Sequence, residues 1–146
     1  MMQYEQAKLF YKISHFVLLD YKNNNPNLLL FVSTNRDVYK NFGITPAGLK
    51  GLERLGLVEC DFASEYIYEN KKMFKMENNV ITVYGDPANE NKIKAGNVNF
   101  TRDGKILYSV VDPSVEKIKN SILDFTITKF QGRNCRVLIN DREIKR

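Results

Sequence analysis

The segment from Thr45 to Gly56 constrains the fold most, because it carries signals for both ends of one short helix. Thr45 is a residue type that caps helix N-termini, and Pro46 suits the first helical position because its missing N–H is not needed there. Gly56 suits the left-handed conformation that ends many helices, and Leu57 can then fold back onto the last turn. The apolar residues repeat at helical spacing and consist of Leu49, Leu52 and Leu55. The segment therefore predicts a helix that buries one face.

A second capping signal begins at Thr101, where Thr101-Arg102-Asp103-Gly104 precedes the apolar residues Ile106 and Leu107. It predicts a short helix that follows a strand over residues 97–100. The residues between the two capped helices predict a mainly β region. Its expected parts are a strand over 57–62, a hairpin with strands near 72–77 and 80–84, and a polar loop over 85–96.

The two ends of the chain give less specific patterns. Near the N-terminus the pattern predicts an amphipathic helix over 4–20. The apolar run over 28–32 is either a buried strand or the opening of a buried helix. A short helix is then expected from about residue 33 to Phe42, where Gly43 ends it. Near the C-terminus they predict a helix over 115–123, a strand over 125–130 and a strand over 135–139.

The order of these elements resembles that of winged helix-turn-helix domains. The segment Leu49–Val58 looks like a recognition helix that runs into the first wing strand, as in many bacterial transcription regulators. The segment Asn99–Leu107 is similar to the Leu-Thr-x-x-Gly-x-x-Leu pattern with which such domains leave the wing. The resemblance implies an α+β fold with an enlarged β wing and an additional C-terminal helix and strands. The layout also resembles the C-terminal part of a bacterial protein family of unknown function.

A length of 146 residues with 43% hydrophobic residues fits one domain with a real core. Its expected parts are a helical N-terminal part over 1–57, a β-rich wing over 57–101 and a helix and strand extension over 102–146. The sequence leaves open whether residues 112–146 complete the same core or form a dimerisation arm.

The charge distribution bears on the expected partner. Basic and acidic residues balance over residues 1–65, so the net charge of +5 arises from residues 66–146. Such an excess attracts phosphate backbones by counterion release. The resemblance implies a non-enzymatic DNA-binding module, a small bacterial or phage regulator whose dimerisation would supply avidity. The expected DNA-binding residues are Thr45, Lys50 and Arg54 at the recognition helix, Arg36 and Lys40 before it, and Lys92 and Lys94 toward the wing tip.

The alternative is a protein-interaction module on the same fold, within a larger bacterial or phage-related assembly. The expected recognition helix carries only two cations, Lys50 and Arg54, and Glu53 lies between them. Gly48 and Gly51 weaken the helix, and they also permit a close approach by a partner backbone. A basic C-terminal segment is, in addition, often no more than a solubilising surface.

Residues typical of catalytic and metal sites are scarce. There is no glycine-rich phosphate loop, and the one histidine, His15, has no assignable acidic partner. Of the two cysteines, Cys60 lies between Glu59 and Asp61, which disfavour a thiolate. The sequence therefore predicts neither an enzyme nor a metal or cofactor site. It also carries no secretory signal and no apolar run long enough for a membrane span, so a cytoplasmic protein is expected.

Aromatic residues flank a basic cluster in the predicted hairpin region. The aromatic residues are Tyr66, Tyr68, Phe74 and Tyr84, and the basic residues are Lys71, Lys72 and Lys75. They are typical either of a surface on which bases stack or, more often at strand spacing, of the packed face of a hairpin.

Overall fold

The computed structural model describes residues 3–32, 39–111 and 116–145, and only the backbone of residues 116–120. Within these ranges the fold is α+β, as predicted, with four α-helices and ten strands. The helices are α1 (Tyr4–Ser14), α2 (Pro46–Arg54), α3 (Arg102–Tyr108) and α4 (Glu116–Gln131). The strands are β1 (Val17–Asp20), β2 (Pro26–Leu28), β3 (Val58–Cys60), β4 (Ile67–Glu69), β5 (Lys71–Met76), β6 (Asn79–Tyr84), β7 (Lys92–Lys94), β8 (Val98–Phe100), β9 (Arg136–Ile139) and β10 (Arg142–Glu143).

Six of the strands form one antiparallel sheet in the order β10-β9-β6-β5-β1-β2. The remaining strands form two antiparallel pairs, β3 with β8 and β4 with β7. Backbone hydrogen bonds join the two pairs end to end: Asp61 N–H donates to the Asn97 carbonyl at 2.9 Å, and Tyr66 N–H to the Gly96 carbonyl at 2.9 Å. We call the joined strands β3, β4, β7 and β8 the ribbon. The β5–β6 hairpin begins and ends at the far end of the ribbon, where Asn70 N–H donates to the Asn91 carbonyl at 2.8 Å.

An isolated bridge between Leu30 and Val98 adds a third chain segment beside β8. The spatial order at this place is Leu30, then β8, then β3. The apolar run around Leu30 is extended, so of the two predicted alternatives the strand-like one is confirmed. Its successive side chains enter different cores, which explains why the run has no polar face.

The two cores lie on either side of this run. The first contains Leu28, Leu30 and Val32 together with residues of α1, α2, β3 and β8, and the second contains Leu29 and Phe31 together with residues of the six-stranded sheet. Helix α4 contributes to both, since Ile122 belongs to the first core and Leu123 to the second. Within the described residues, the C-terminal part therefore shares the core of the chain.

Two predicted elements near the ends are wrong. The predicted helix over 4–20 ends at Ser14, and residues 17–20 form β1, because Val17 is buried in the first core and Leu18 in the second. The predicted strand over 125–130 is part of α4. The buried residues of α4 recur at helical spacing and do not alternate, and as a helix the segment covers both cores. The buried residues are Ile122, Leu123, Thr126, Ile127 and Phe130.

The β-rich region over 57–101 also differs from the expected wing. The predicted hairpin is confirmed as β5 and β6, but it lies at the centre of the six-stranded sheet between β1 and β9. The loop predicted over 85–96 contains β7, whose Ile93 is fully buried. The expected wing is therefore divided between the ribbon and the six-stranded sheet. Of the short helix predicted up to Phe42, Lys40–Phe42 form a single 3₁₀ turn that ends at Gly43 with φ of +76°, and residues 33–38 lie outside the described chain.

Candidate nucleic-acid interface

The two capped segments singled out in the sequence contact each other. The Thr101 hydroxyl donates a hydrogen bond to the Gly56 carbonyl, and Thr101 N–H donates to the Leu57 carbonyl at 3.1 Å. Gly104 lies so close to the Leu57 backbone that a Cβ added to it would be 2.0 Å from the Leu57 carbonyl oxygen. We call these contacts between 56–57 and 101–104 the junction. It fixes the start of α3 against the end of α2.

Both predicted ends of α2 are confirmed. The Thr45 hydroxyl accepts a hydrogen bond from Gly48 N–H at 3.1 Å. At the other end Gly56 has φ of +78° and its N–H donates to the Glu53 carbonyl at 2.9 Å. Leu57 N–H donates back to the Leu52 carbonyl at 3.1 Å. These bonds satisfy backbone groups that a helix end otherwise leaves open.

The two glycines of α2 have different surroundings. A Cβ on Gly48 would lie 2.8 Å from the Leu9 side chain of α1, so Gly48 permits close packing of the two helices. A Cβ on Gly51 would meet only the Arg54 guanidinium, at 3.8 Å. Since Leu49 and Leu52 are fully buried, α2 presents the Gly51 side of its surface to solvent.

Lys50 is held by its neighbours. Its ammonium lies 3.0 Å from a Glu53 carboxylate oxygen and 5.3 Å from the centre of the Phe62 ring. The other Glu53 oxygen accepts a hydrogen bond from Cys60 N–H at 2.8 Å. That backbone bond, and then the one from Lys50, lower the pKa of Glu53, so the carboxylate stays ionised. The charge of Lys50 is thus offset within the protein.

The other predicted site residues are spread along the surface. Arg54 is exposed at the end of α2 and makes no ion pair with a described residue, and Lys40 is likewise exposed in the 3₁₀ turn. Lys92 and Lys94 lie on β7, toward the far end of the ribbon, where Lys92 is 3.5 Å from Glu90 and Lys94 is exposed. Arg36 lies outside the described residues. Between described residues, no hydrogen bond or ion pair joins the cations of α2 to those of β7.

The aromatic residues near the lysines do not form one surface. Phe74 is fully buried, and the Tyr68 hydroxyl donates to the Asn27 side chain at 3.1 Å. Tyr84 lies on the opposite face of the hairpin, where Lys71 and Arg136 flank its ring with distances to the centroid of 5.9 and 5.2 Å. We call these last three residues the Tyr84 row. The packed-face alternative therefore describes Phe74 and Tyr68.

Sequence reasoning missed a groove between the ribbon and the end of α4. Its volume is about 430 Å³, and its lining includes Ser64, Glu65, Lys94 and Arg133. Arg133 Nε donates to both Glu65 carboxylate oxygens, at 2.8 and 3.0 Å. These residues come from three distant parts of the chain, so no local pattern signals the groove.

The histidine and the cysteines lie in structural surroundings. His15 follows α1, where its Nδ1 is 3.0 Å from the Tyr11 carbonyl. Both cysteines are free thiols, and burial raises the pKa of Cys60 and of Cys135 to about 11. The second cause of the raised pKa of Cys60 is the negative charge of Glu53, rather than that of its sequence neighbours Glu59 and Asp61. Among the described residues no group of three His, Cys, Asp or Glu side chains is arranged to hold a metal ion.

Comparison with known proteins adds no relative: no family model, no curated protein and no solved structure matches the chain. In the described ranges, no helix combines the length and the apolar character that crossing a bilayer requires.

Proposed function

We propose that this protein is a cytoplasmic, winged-helix-like regulator of bacterial or phage origin that binds double-stranded DNA. In this proposal α2 enters the major groove and the ribbon contacts the neighbouring backbone. The observation that supports the proposal is the junction, in which Thr101 at the start of α3 donates hydrogen bonds to the Gly56 and Leu57 carbonyls at the end of the capped α2.

The strand order beside α2 supports the same proposal. Leu30 pairs with Val98 of β8, and β8 pairs with β3, which follows α2 directly. This bridge brings a segment from between α1 and α2 beside the strand that precedes α3, which supports the proposed order. Gly48 lies against the Leu9 side chain, so α2 packs closely on α1.

The charges suggest unequal roles for the predicted residues. Arg54 and Lys40 are exposed cations without a carboxylate partner in the described chain, so each can neutralise a phosphate. Lys50 is paired with Glu53, so it must exchange that partner to reach DNA. We therefore assign most of the phosphate contact at α2 to Arg54, and the contact of the ribbon to Lys94.

Fluorescence anisotropy of a labelled AT-rich duplex tests the proposal. We expect binding that weakens steeply between about 50 and 200 mM salt, and a salt slope that falls by about 1 in Arg54→Ala and in Lys94→Ala. Arg142→Ala is the matched control, because it removes an exposed cation from β10, which pairs only with β9. Binding that is absent at low salt, or that falls equally in the control, contradicts the proposal.

A protein-docking role is the second candidate, and the neutral surface near α2 favours it. Lys50 is paired with Glu53, and the exposed acidic residues Glu59 and Asp61 lie on or just after β3. A surface with balanced charges fits a protein partner better than a phosphate backbone. This candidate predicts no salt-dependent DNA binding. It predicts instead a stable complex with a protein partner, and a second copy of the chain counts as such a partner. Light scattering of the purified protein separates a homodimer from a monomer.

A further inference from the structure

The groove beside the ribbon has the size and the lining of a small-molecule site. Its volume of about 430 Å³ falls within the usual range of ligand pockets. The apolar lining residues include Val32, Phe62 and Ile67, while the polar ones come from the ribbon and from the end of α4. A site of this kind takes a molecule with an apolar body and a few polar substituents.

Arg133 is fixed in this groove with part of its guanidinium unused. Its Nε donates to Glu65, and its Nη1 donates to the Lys129 carbonyl at 3.1 Å. The guanidinium carbon lies 4.5 Å from the centre of the Phe31 ring, so the plane of the group is also supported from one side. Its Nη2 makes no hydrogen bond within the described chain. A fixed guanidinium with free N–H groups is suited to an anionic oxygen.

Asn97 supplies the opposite polarity. Only 5% of this residue is exposed, and its Nδ2 donates to the carbonyls of Asp61 and Ser64 at 3.0 and 2.7 Å. Those two acceptors define which side-chain atom is the oxygen, and Oδ1 accepts no hydrogen bond from the described residues. This oxygen is not enclosed by protein, because among the described residues Nε2 of His15 is the one fully enclosed side-chain N or O atom that lacks a hydrogen-bond partner. The Asn97 oxygen therefore reaches open space, and the groove is the open space that Asn97 lines.

Lys94 adds a second cation to the lining. It is exposed, it makes no ion pair with a described residue, and it lies directly across the ribbon from Ile67. Arg133 is balanced by Glu65, so Lys94 leaves the groove with a net positive charge. An anion is the ligand charge that matches it.

We propose that the groove binds a small organic anion that has a flat apolar body and one hydroxyl or N–H donor. Its carboxylate lies between the Lys94 ammonium and Nη2 of Arg133, and its donor points to Oδ1 of Asn97. Its apolar body packs on the wall formed by Phe62 and Ile67. The groove shares Lys94 with the proposed DNA contact, but Arg133 and Asn97 belong to the groove alone, and the test below contains no DNA.

An NMR titration of the ¹⁵N-labelled protein tests the site with three probes: 4-hydroxybenzoate, benzoate and inorganic phosphate. We expect saturable shifts for 4-hydroxybenzoate at amides of 61–67, 94–97 and Arg133. Benzoate lacks the donor for Asn97 and binds several-fold more weakly, and phosphate lacks the apolar body and binds more weakly still. In Lys94→Ala the Kd for 4-hydroxybenzoate rises by about tenfold, as expected for a lost charge-assisted contact.

Lys92→Ala is the control, since Lys92 lies on the same strand outside the groove lining and next to Glu90. Its Kd stays within about twofold of the unmodified protein if binding is local rather than a diffuse charge effect. The proposal is overturned if no probe gives saturable shifts, if the shifts lie elsewhere, or if the two lysine variants weaken binding equally. Equal affinities for benzoate and 4-hydroxybenzoate overturn the role of Asn97.

Discussion

The junction and the six-stranded sheet are built in different ways. The junction joins two short segments, each of which carries its own capping residues, and its contacts run through backbone carbonyls and a glycine. The sheet joins β1 and β2 from the N-terminal part, the β5–β6 hairpin and two strands from the C-terminal end, and its contacts run through apolar side chains. Local signals therefore specify the first region, while the second depends on which distant segments meet.

Phe74→Ala tests the sheet. Phe74 is fully buried in the second core, against Phe130 and Tyr68. Truncation of a buried phenylalanine removes apolar contacts and leaves a cavity, so we expect the free energy of unfolding to fall by about 4 kcal/mol. Urea denaturation followed by circular dichroism measures the change. A loss below about 1 kcal/mol would mean that this core does not hold the sheet together.

Gly104→Ala tests the junction. The new methyl group would lie 2.0 Å from the Leu57 carbonyl oxygen, so the backbone must shift. We expect a loss of about 3 kcal/mol, at the upper end of overpacking effects. Gly51→Ala is the matched control, because its methyl group has free space in a helix. It should instead stabilise the protein by about 0.5 to 1 kcal/mol. Equal effects in the two variants would contradict the close contact at Gly104.

Asp20→Asn tests the ion pair that ties β1 to β5. The hydrogen bond from the largely buried Lys72 is the main cause that lowers the pKa of Asp20, and the N–H groups of Lys22 and Asn23 add to it. A lowered pKa stabilises the folded state above the pKa of the unfolded carboxyl group, and this contribution is lost as the pH falls through the lower value. At pH 7 we expect the variant to be about 2 kcal/mol less stable.

The pH dependence of that difference is the sharper readout. A protonated Asp20 resembles asparagine. The difference in the free energy of unfolding between the variant and the unmodified protein should therefore narrow as the pH falls below about 4, near the ordinary pKa of aspartate. Urea denaturation at pH 7, 5, 4 and 3 measures it. A gap that is constant over this range would show that the carboxylate charge of Asp20 does not stabilise the fold.

Thr45→Ala tests the N-terminal cap of α2. It removes the acceptor for Gly48 N–H, and we expect a loss of about 1 kcal/mol. Thr45→Ser is the control, because serine keeps the acceptor and should restore most of the stability. If both variants lose the same amount, the methyl group of Thr45 matters rather than its hydroxyl.

The same contrast explains which elements the sequence predicts. The bounds of α2, the turn at Gly56 and the start of α3 at Thr101 follow from capping residues, whose effect does not depend on the rest of the chain. The predictions for residues 17–20 and 125–130 are wrong because the apolar residues of these segments suit both a helix and a strand. Burial between two cores decides between these forms, and a single sequence does not reveal that the chain has two cores.

The candidate sites divide in the same manner. Thr45, Lys50 and Arg54 lie on or beside a helix that the sequence predicts, so their placement follows from local signals. The pairing of Lys50 with Glu53 involves neighbours on that helix, but the second bond of Glu53 goes to Cys60 on β3. The groove needs Glu65, Asn97 and Arg133 together, and the ion pair between Glu65 and Arg133 spans the ribbon and the end of α4. Only the assembled fold brings such residues into one site.

Mapping the DNA contact by NMR tests the proposal that the junction orients α2 and the ribbon as one DNA-binding surface. An unlabelled AT-rich duplex is added to the ¹⁵N-labelled protein at low salt, and the amide shifts are followed residue by residue. We expect the largest shifts at residues 45–54 and along β7. Shifts centred instead on the Tyr84 row, or no shifts at all, would contradict the claim.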